Sequence, residues 1–194
     1  KSLALAGKHG DGAVMSIPPD AQVMDRMWEM IERASTEAGR QLNRDDYLTV
    51  SLTTIVVLDD GETIESPRVK AEAGAMAMAS IHYSYDQYRQ FGRAPGSRLD
   101  GIWDEYTAML EDYDPERIHQ RVHAGHNCWV LPEEERFVTP ELIDATCIVG
   151  TADQIIDRLV ELDERGLDQL MILPNFDPRF EVLEKIGQEI IPNL

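Results

Sequence analysis

A chain of 194 residues that is 43% hydrophobic and 28% charged has the composition of one soluble globular domain. It has no apolar run near the roughly 18 residues of a membrane span and no basic-then-apolar leader. The 36 acidic against 18 basic residues give a net charge of −18. That field repels nucleic acid and anionic lipid, which are bound through clustered Lys and Arg, so neither is expected as a partner and the acidity is read as solubility.

Residues Lys1 to His9 read as the end of a helix, with Leu3, Leu5 and Ala6 apolar. Gly12 to Ile17 reads as a short buried strand. Pro18-Pro19-Asp20 ends it and opens a helix with Asp20 as N-cap. Val23, Met24, Met27, Trp28 and Ile31 form its apolar face, and Gly39 stands where a C-terminal cap belongs. Tyr47 to Leu58 is dense in β-branched residues and reads as one strand. Its second half, Ile55 to Leu58, is apolar on both faces, as in parallel sheets covered on both sides.

From Ser66 to about His126 the pattern is helical, beginning with Ser66 as N-cap and Pro67 at the first helical position. Arg93 to Ser97 reads as a loop. Leu99, Ile102, Trp103, Tyr106, Met109, Leu110 and Tyr113 then recur at amphipathic helical spacing. Asp114-Pro115 opens a further helix with Ile118 and Val122 inward, Leu131 to Phe137 reads as a charged loop, and Thr139-Pro140 starts a short helix. Thr151 to Gln154 is a capping-box pattern, and its helix stops at Gly166. Gln169 to Leu173 reads as a buried strand. Asp177-Pro178 caps a last helix with Phe180, Leu183, Ile186 and Ile190 inside. Three strands alternate with helices and no hairpin signal occurs, which predicts parallel βα units in an α/β fold. Three parallel strands leave edges and a face that need cover.

The only cysteines are Cys128 and Cys147, with no CxxC spacing. They make neither a disulfide framework nor a thiolate zinc site, and a cytoplasmic location is expected.

Three passages resemble the bacterial luciferase-like monooxygenase family, which includes reductases and dehydrogenases using coenzyme F-420, a deazaflavin. Leu3 to Gly12 (LALAGKHGDG) is similar to the family's L-x-L-A-G-x-x-A-D-G, with His9-Gly10 departing from it. Cys147 to Leu159 (CIVGTADQIIDRL) is similar to x-x-x-G-T-P-E-E-V-x-x-R-L, and Gly166 to Pro174 (GLDQLMILP) to a G-V-D-x-h-x-h-x-P strand, where h is apolar. The resemblance implies a partial (β/α)8 TIM barrel. Residues 1–194 would be the C-terminal part of a single barrel domain, with strands six to eight and a helical insertion at about 66–145 after strand seven. Strands one to five, the N-terminal half, would lie upstream of Lys1.

Active sites of such barrels lie at the C-terminal ends of the strands. Those ends are Met15 to Pro18, Val57 to Asp60 and Leu173 to Phe176. Met15, Ser16 and Asn175 are therefore the candidate cofactor-binding residues. The structural alternative for Ser16 and Asn175 is a turn residue. His123-Ala124-Gly125-His126 pairs two imidazoles at i, i+3, and some deazaflavin-dependent members resemble it in having H-x-G-H in the insertion. His123 and His126 are the candidate substrate-pocket residues. Their structural alternative is a helix C-terminus with Gly125 as cap, and as a zinc site they lack a third ligand, so no metal is expected.

The activity implied is hydride transfer between a small organic substrate and coenzyme F-420 or FMN, with the HxGH cluster favouring the deazaflavin. Catalytic residues are not identifiable, because in the family they sit on strands one to five. The chain alone is expected to be inactive, and to pair either as a homodimer or with the N-terminal half. The alternative is a non-catalytic half-barrel serving as an assembly or binding protein.

Overall fold

The computed structural model describes residues 1–16, 20–93, 95–96 and 99–194. Ile17, Pro18 and Pro19, on which the first strand's end and the following turn were expected, lie outside them, as do Ala94, Ser97 and Arg98 of the expected loop. The elements are α1 (Ser2–His9), β1 (Gly12–Met15), α2 (Ala21–Glu37), β2 (Leu48–Thr53), β3 (Ile55–Val57) and α3 (Pro67–Phe91). After them come α4 (Trp103–Glu111), α5 (Ile118–Val122), α6 (Pro140–Thr146), β4 (Ile148–Gly150), α7 (Ala152–Glu164), β5 (Gln169–Ile172) and α8 (Arg179–Glu189).

Every strand pair is parallel, as the alternation predicts. β1, β2 and β5 form one sheet in that order, and β3 pairs with β4 in a second. Tyr47 to Leu58 is thus two strands rather than one. Thr53 still serves the first sheet, its carbonyl accepting from Leu173 N–H at 2.9 Å, while the Thr54 carbonyl accepts from Ile148 N–H at 3.0 Å and starts the second. The partner strand β4 was read only as the lead-in to a capped helix. Three residues before a Gly-Thr cap are too few to show a period of two.

Two apolar cores meet across β3. Ile55 and Val57 face a core built with α2, α7 and α8, while Val56 faces one built with α3, α4, α5 and α6. The first core holds Met24, Met27, Trp28 and Ile31 of α2, the stripe expected from the sequence. Asp20 caps α2 by accepting from Val23 N–H at 2.8 Å. Trp28 packs edge-on to Tyr47 at 5.8 Å, and its Nε1 donates to the Arg165 carbonyl at 3.0 Å. The α7 capping box is present, with Thr151 N–H donating to the Gln154 side chain at 3.0 Å.

β1 and β5 are not the buried strands expected. Ala13 and Met15 of β1 and Leu170 and Ile172 of β5 face the first core, and the alternate residues do not. Val14 is 69% exposed, Leu48 of β2 53% and Met171 of β5 47%. The register puts Val14 beside Val50 and Leu52 beside Met171 on one face of the sheet, where Val14 and Met171 are exposed, Leu52 is half-buried and Val50 is buried. Within α8 only Val182 and Ile186 are buried. Phe180 and Leu183, expected inside, are exposed, while Ile190 just beyond the helix is buried. No helix among the described residues is long and apolar enough to cross a membrane.

Candidate functional site

Helix α3 begins at Pro67, whose missing N–H costs nothing at the first helical position, and runs 25 residues along the second core. Its Ala, Gly and Met content lets neighbouring segments approach closely, and Gly74 sits where an added Cβ would meet Val130 at 2.9 Å. This helix forms one wall of a cavity of about 520 Å³. Met76, Ala79, Ser80, Tyr83 and Ser84 of α3 face Ser16 and Leu52 across it. Asp86, His123, His126 and Asn127 add polar groups to the lining, Leu99 and Leu142 apolar ones, and Thr146 a hydroxyl. Ser16 follows the C-terminal end of β1 and Leu52 lies near that of β2, so the cavity opens at the carboxyl ends of the parallel strands.

The two histidines do not share a helix face. Helix α5 ends at Val122, and residues 123–128 form successive turns through Gly125 at φ 73° and Asn127 at φ 58°. Gly125 is required there, because a Cβ would meet both the ring and the carbonyl oxygen of Trp129 at 2.6–2.7 Å. The turns bring the imidazoles to a centroid separation of 5.0 Å.

A third imidazole, His82 of α3, completes the group at 5.5 Å from the His126 ring and 6.2 Å from the His123 ring. His82 is 2% exposed. Its Nδ1 lies 3.2 Å from Nδ1 of His126, so one nitrogen donates and the other accepts. Its Nε2 lies 3.5 Å from Oε1 of Glu134, slightly longer than a hydrogen bond. Glu134 is 1% exposed, and the same oxygen accepts from Arg121 Nη1 at 3.2 Å. His123 is paired at 2.8 Å with Asp86, one turn beyond His82 on α3. Burial holds the His126 imidazolium below its ordinary pKa, His82 and His123 push the same way, and Asp86 opposes them. Among the described residues no three His, Cys, Asp or Glu side chains converge as metal ligands.

The sequence reading missed His82 and Glu134. His82 lies 41 residues before His123, in a helical stretch with no motif that singles it out. Glu134 is the middle of three glutamates in Pro132–Phe137, read as a loop but folded as a 3-10 run that buries one of them. Only its position three residues before buried Phe137 could have marked it.

Of the other candidates, Met15 is 4% exposed and faces the first core. Asn175 is 6% exposed and lines a separate cavity of about 660 Å³ with Lys70, Cys128 and Trp129. Its Oδ1 accepts from Ala75 N–H at 3.3 Å and its Nδ2 donates to the Ala71 carbonyl, so both amide atoms engage the α3 backbone. Asp59, after β3, pairs with Lys185 and lies 3.7 Å from Arg68, beside a third cavity of about 360 Å³. The structure therefore brings Ser16, His123 and His126 together and sets Met15 and Asn175 apart from them.

Residues 1–169 match the family model described as luciferase-like monooxygenase. The chain is 26% identical over 200 residues to a 5,10-methylenetetrahydromethanopterin reductase of Archaeoglobus fulgidus, covering 100% of this chain and 52% of that protein. It is 27% identical over 138 residues to 2,5-diketocamphane 1,2-monooxygenase 2 of Pseudomonas putida, covering 69% of this chain and 31% of that protein. Among solved structures it resembles the coenzyme F-420-dependent tetrahydromethanopterin reductase of Methanopyrus kandleri, with a TM-score of 0.57 and 21% identity over 98% of this chain and 47% of that one. The chain spans about half the length of the reductases it matches.

Proposed function

Since the chain belongs to the luciferase-like monooxygenase family, we propose that it works as the C-terminal part of an oxidoreductase that moves a hydride between a small organic substrate and a deazaflavin or flavin cofactor. In this reading β1, β2 with β3, and β5 are strands six, seven and eight of a (β/α)8 barrel. The segment from α3 to α6 is an insertion over its mouth. The single observation that carries the reading is the 520 Å³ cavity, in which Ser16 and Leu52 at the strand ends face His123 and His126 of the insertion. Barrel enzymes place their chemistry at that end. The parallel pairing throughout and the fold likeness to the reductase agree with it.

The lining suits a ring cofactor and a small substrate. Leu52, Met76, Leu99 and Leu142 offer apolar walls, Ser16 offers a polar edge, and Asn127 Oδ1 is a buried acceptor with no donor among the described residues. The cofactor, when bound, supplies the hydride chemistry. The residues of this chain orient it, exclude water and handle the proton. Ser16 hydrogen-bonds the cofactor edge, the insertion shields the site, and His126 stands within reach of substrate. The relatives named as reductases of a pterin favour the deazaflavin over FMN.

The test is a titration of the intact purified protein with coenzyme F-420 and with FMN, followed by cofactor fluorescence. One of the two is expected to bind at one per chain, with affinity lowered about tenfold or more by Ser16→Ala or by a bulky Ala79→Trp in the cavity wall. A protein that takes up neither cofactor is a non-catalytic relative acting in assembly, and the reading fails.

A further inference from the structure

The cavity of about 660 Å³ that Asn175 lines is larger than the one beside the histidines, and its size is that of a small-molecule site. The same turn serves both. His126 and Asn127 line the smaller cavity, while Cys128, Trp129 and Val130 line this one. Its walls are tied to one another by the protein itself. Asn175 engages the α3 backbone through both amide atoms, and Phe176 N–H donates to the Cys128 carbonyl at 2.8 Å. Trp129 N–H donates to the Gly125 carbonyl at 2.9 Å, and the absence of a Cβ at Gly125 makes room for the indole. One side of the indole is thus packed on Gly125, yet Trp129 is 54% exposed and lines the cavity.

Charges of both signs stand around this apolar wall without counter-ions. Lys70, Glu135 and Asp177 line the cavity, and among the described residues none of the three makes an ion pair. Arg136, the remaining charge on the lining, is already engaged: its Nε pairs with Glu105 at 2.9 Å and its guanidinium lies 4.8 Å over the Phe137 ring. Lys70 is half-buried at the end of the first turn of α3. The helix dipole disfavours a cation there, and no acidic side chain in that turn offsets it. Glu135 and Asp177 are exposed, one on the 3-10 run and one just before α8. An anion alone would satisfy Lys70 and be repelled by the two carboxylates, and a cation alone would meet the reverse. A molecule carrying both charges on an apolar body satisfies the whole lining.

We propose that this cavity is a binding site for a zwitterionic amino acid with an apolar or aromatic side chain. The ligand carboxylate pairs with Lys70, and its ammonium is held by Glu135 and Asp177. Its side chain packs against Trp129, Val130 and Val138. No bond is made or broken at this site, and no cofactor enters the argument. The site therefore stands or falls apart from the redox reading of the smaller cavity.

The experiment is calorimetric titration of the intact protein at neutral pH with L-phenylalanine, 3-phenylpropanoate and phenethylamine, which carry both charges, the anion alone and the cation alone. Phenylalanine is expected to bind at one per chain, about tenfold or more tighter than either analogue, and to change the tryptophan emission. Trp129→Phe is expected to abolish that emission change. Lys70→Gln should lower phenylalanine affinity about tenfold and remove its advantage over phenethylamine. Glu135→Gln combined with Asp177→Asn should remove its advantage over phenylpropanoate. Either analogue binding as tightly as phenylalanine to the unaltered protein overturns the zwitterion class, whether or not the variants fold. Absence of saturable binding by all three overturns the site. Phenylalanine affinity unchanged in Lys70→Gln, or an emission change that survives Trp129→Phe, puts the ligand elsewhere and overturns it equally.

Discussion

Asn175 shows how one side chain carries a structural assignment against a functional one. Its amide accepts from Ala75 N–H and donates to the Ala71 carbonyl, tying the loop after β5 to the middle of α3. Asn175→Ala is therefore expected to cost about 1–3 kcal/mol in urea unfolding. Asn175→Asp is expected to cost no less, because a carboxylate cannot donate to Ala71. If stability holds in both variants while cofactor affinity falls, the residue belongs to the cofactor instead. His126 gives the pH dependence. Burial, then His82 and His123, hold its folded pKa below the ordinary 6.5, so the unfolded chain takes up the proton first. The unfolded state binds more protons as acid is added, so this contribution to stability is intact above about pH 6.5 and is lost as pH falls towards the folded value. The urea midpoint should drop between pH 7.5 and 5.5, and His126→Gln should show a smaller drop. Equal drops in both proteins would assign the effect to other groups.

Among the elements, the bend at Thr54 is the feature that divides the β structure. Thr53 and Thr54 lend successive carbonyls to different sheets, so β3 leaves the first sheet and joins the two cores. The Thr54 hydroxyl is buried with no hydrogen-bond partner among the described residues, while its backbone does the joining. Thr54→Val removes an unsatisfied polar atom at constant shape and is expected to stabilise by about 1 kcal/mol, seen as a raised Tm. A lowered Tm would mean that the hydroxyl has a partner. This bend was not legible in the sequence, where Tyr47 to Leu58 is an unbroken β-favouring run. Several helix boundaries were legible because caps are local: Asp20, Thr139, Thr151 and the glycines at 39 and 166 act within one turn of their own helices, whereas Asp177 does not cap α8 and α5 starts at Ile118 rather than at Pro115. His123 and His126 could be found because they are neighbours in sequence. His82 and Glu134 could not, since α3 and the 3-10 run meet them only through tertiary packing. Burial of β1, β5 and α8 was misjudged for a related reason: apolar pattern says which side chains need cover, not whether the cover lies within these residues.

On the scale of the molecule, the decisive physical fact is apolar surface left without a partner. Val14, Leu48 and Met171 stand exposed on one face of a parallel sheet whose outer strands, β1 and β5, each have one unpaired edge among the described residues. Phe180 and Leu183 are exposed on α8 after β5, and Leu5 on α1 before β1. Parallel sheets are rarely stable with a bare face, and open edges invite pairing, so both sides of the unit ask for the same kind of completion. If residues 1–194 pair with an N-terminal half to close a barrel, Val14 and Met171 point into its packed interior. A lysine at either position would then place an ammonium among apolar side chains, which costs several kcal/mol. The double substitution Val14→Lys and Met171→Lys is expected to unfold the intact protein or abolish cofactor uptake. In a polypeptide of residues 1–194 alone, the same pair should leave the helical signal unchanged and reduce binding of a hydrophobic dye, since these side chains already meet water. An intact protein that keeps its Tm and its cofactor with both lysines would mean that this face is a true surface, and that closure of the barrel by further strands is wrong.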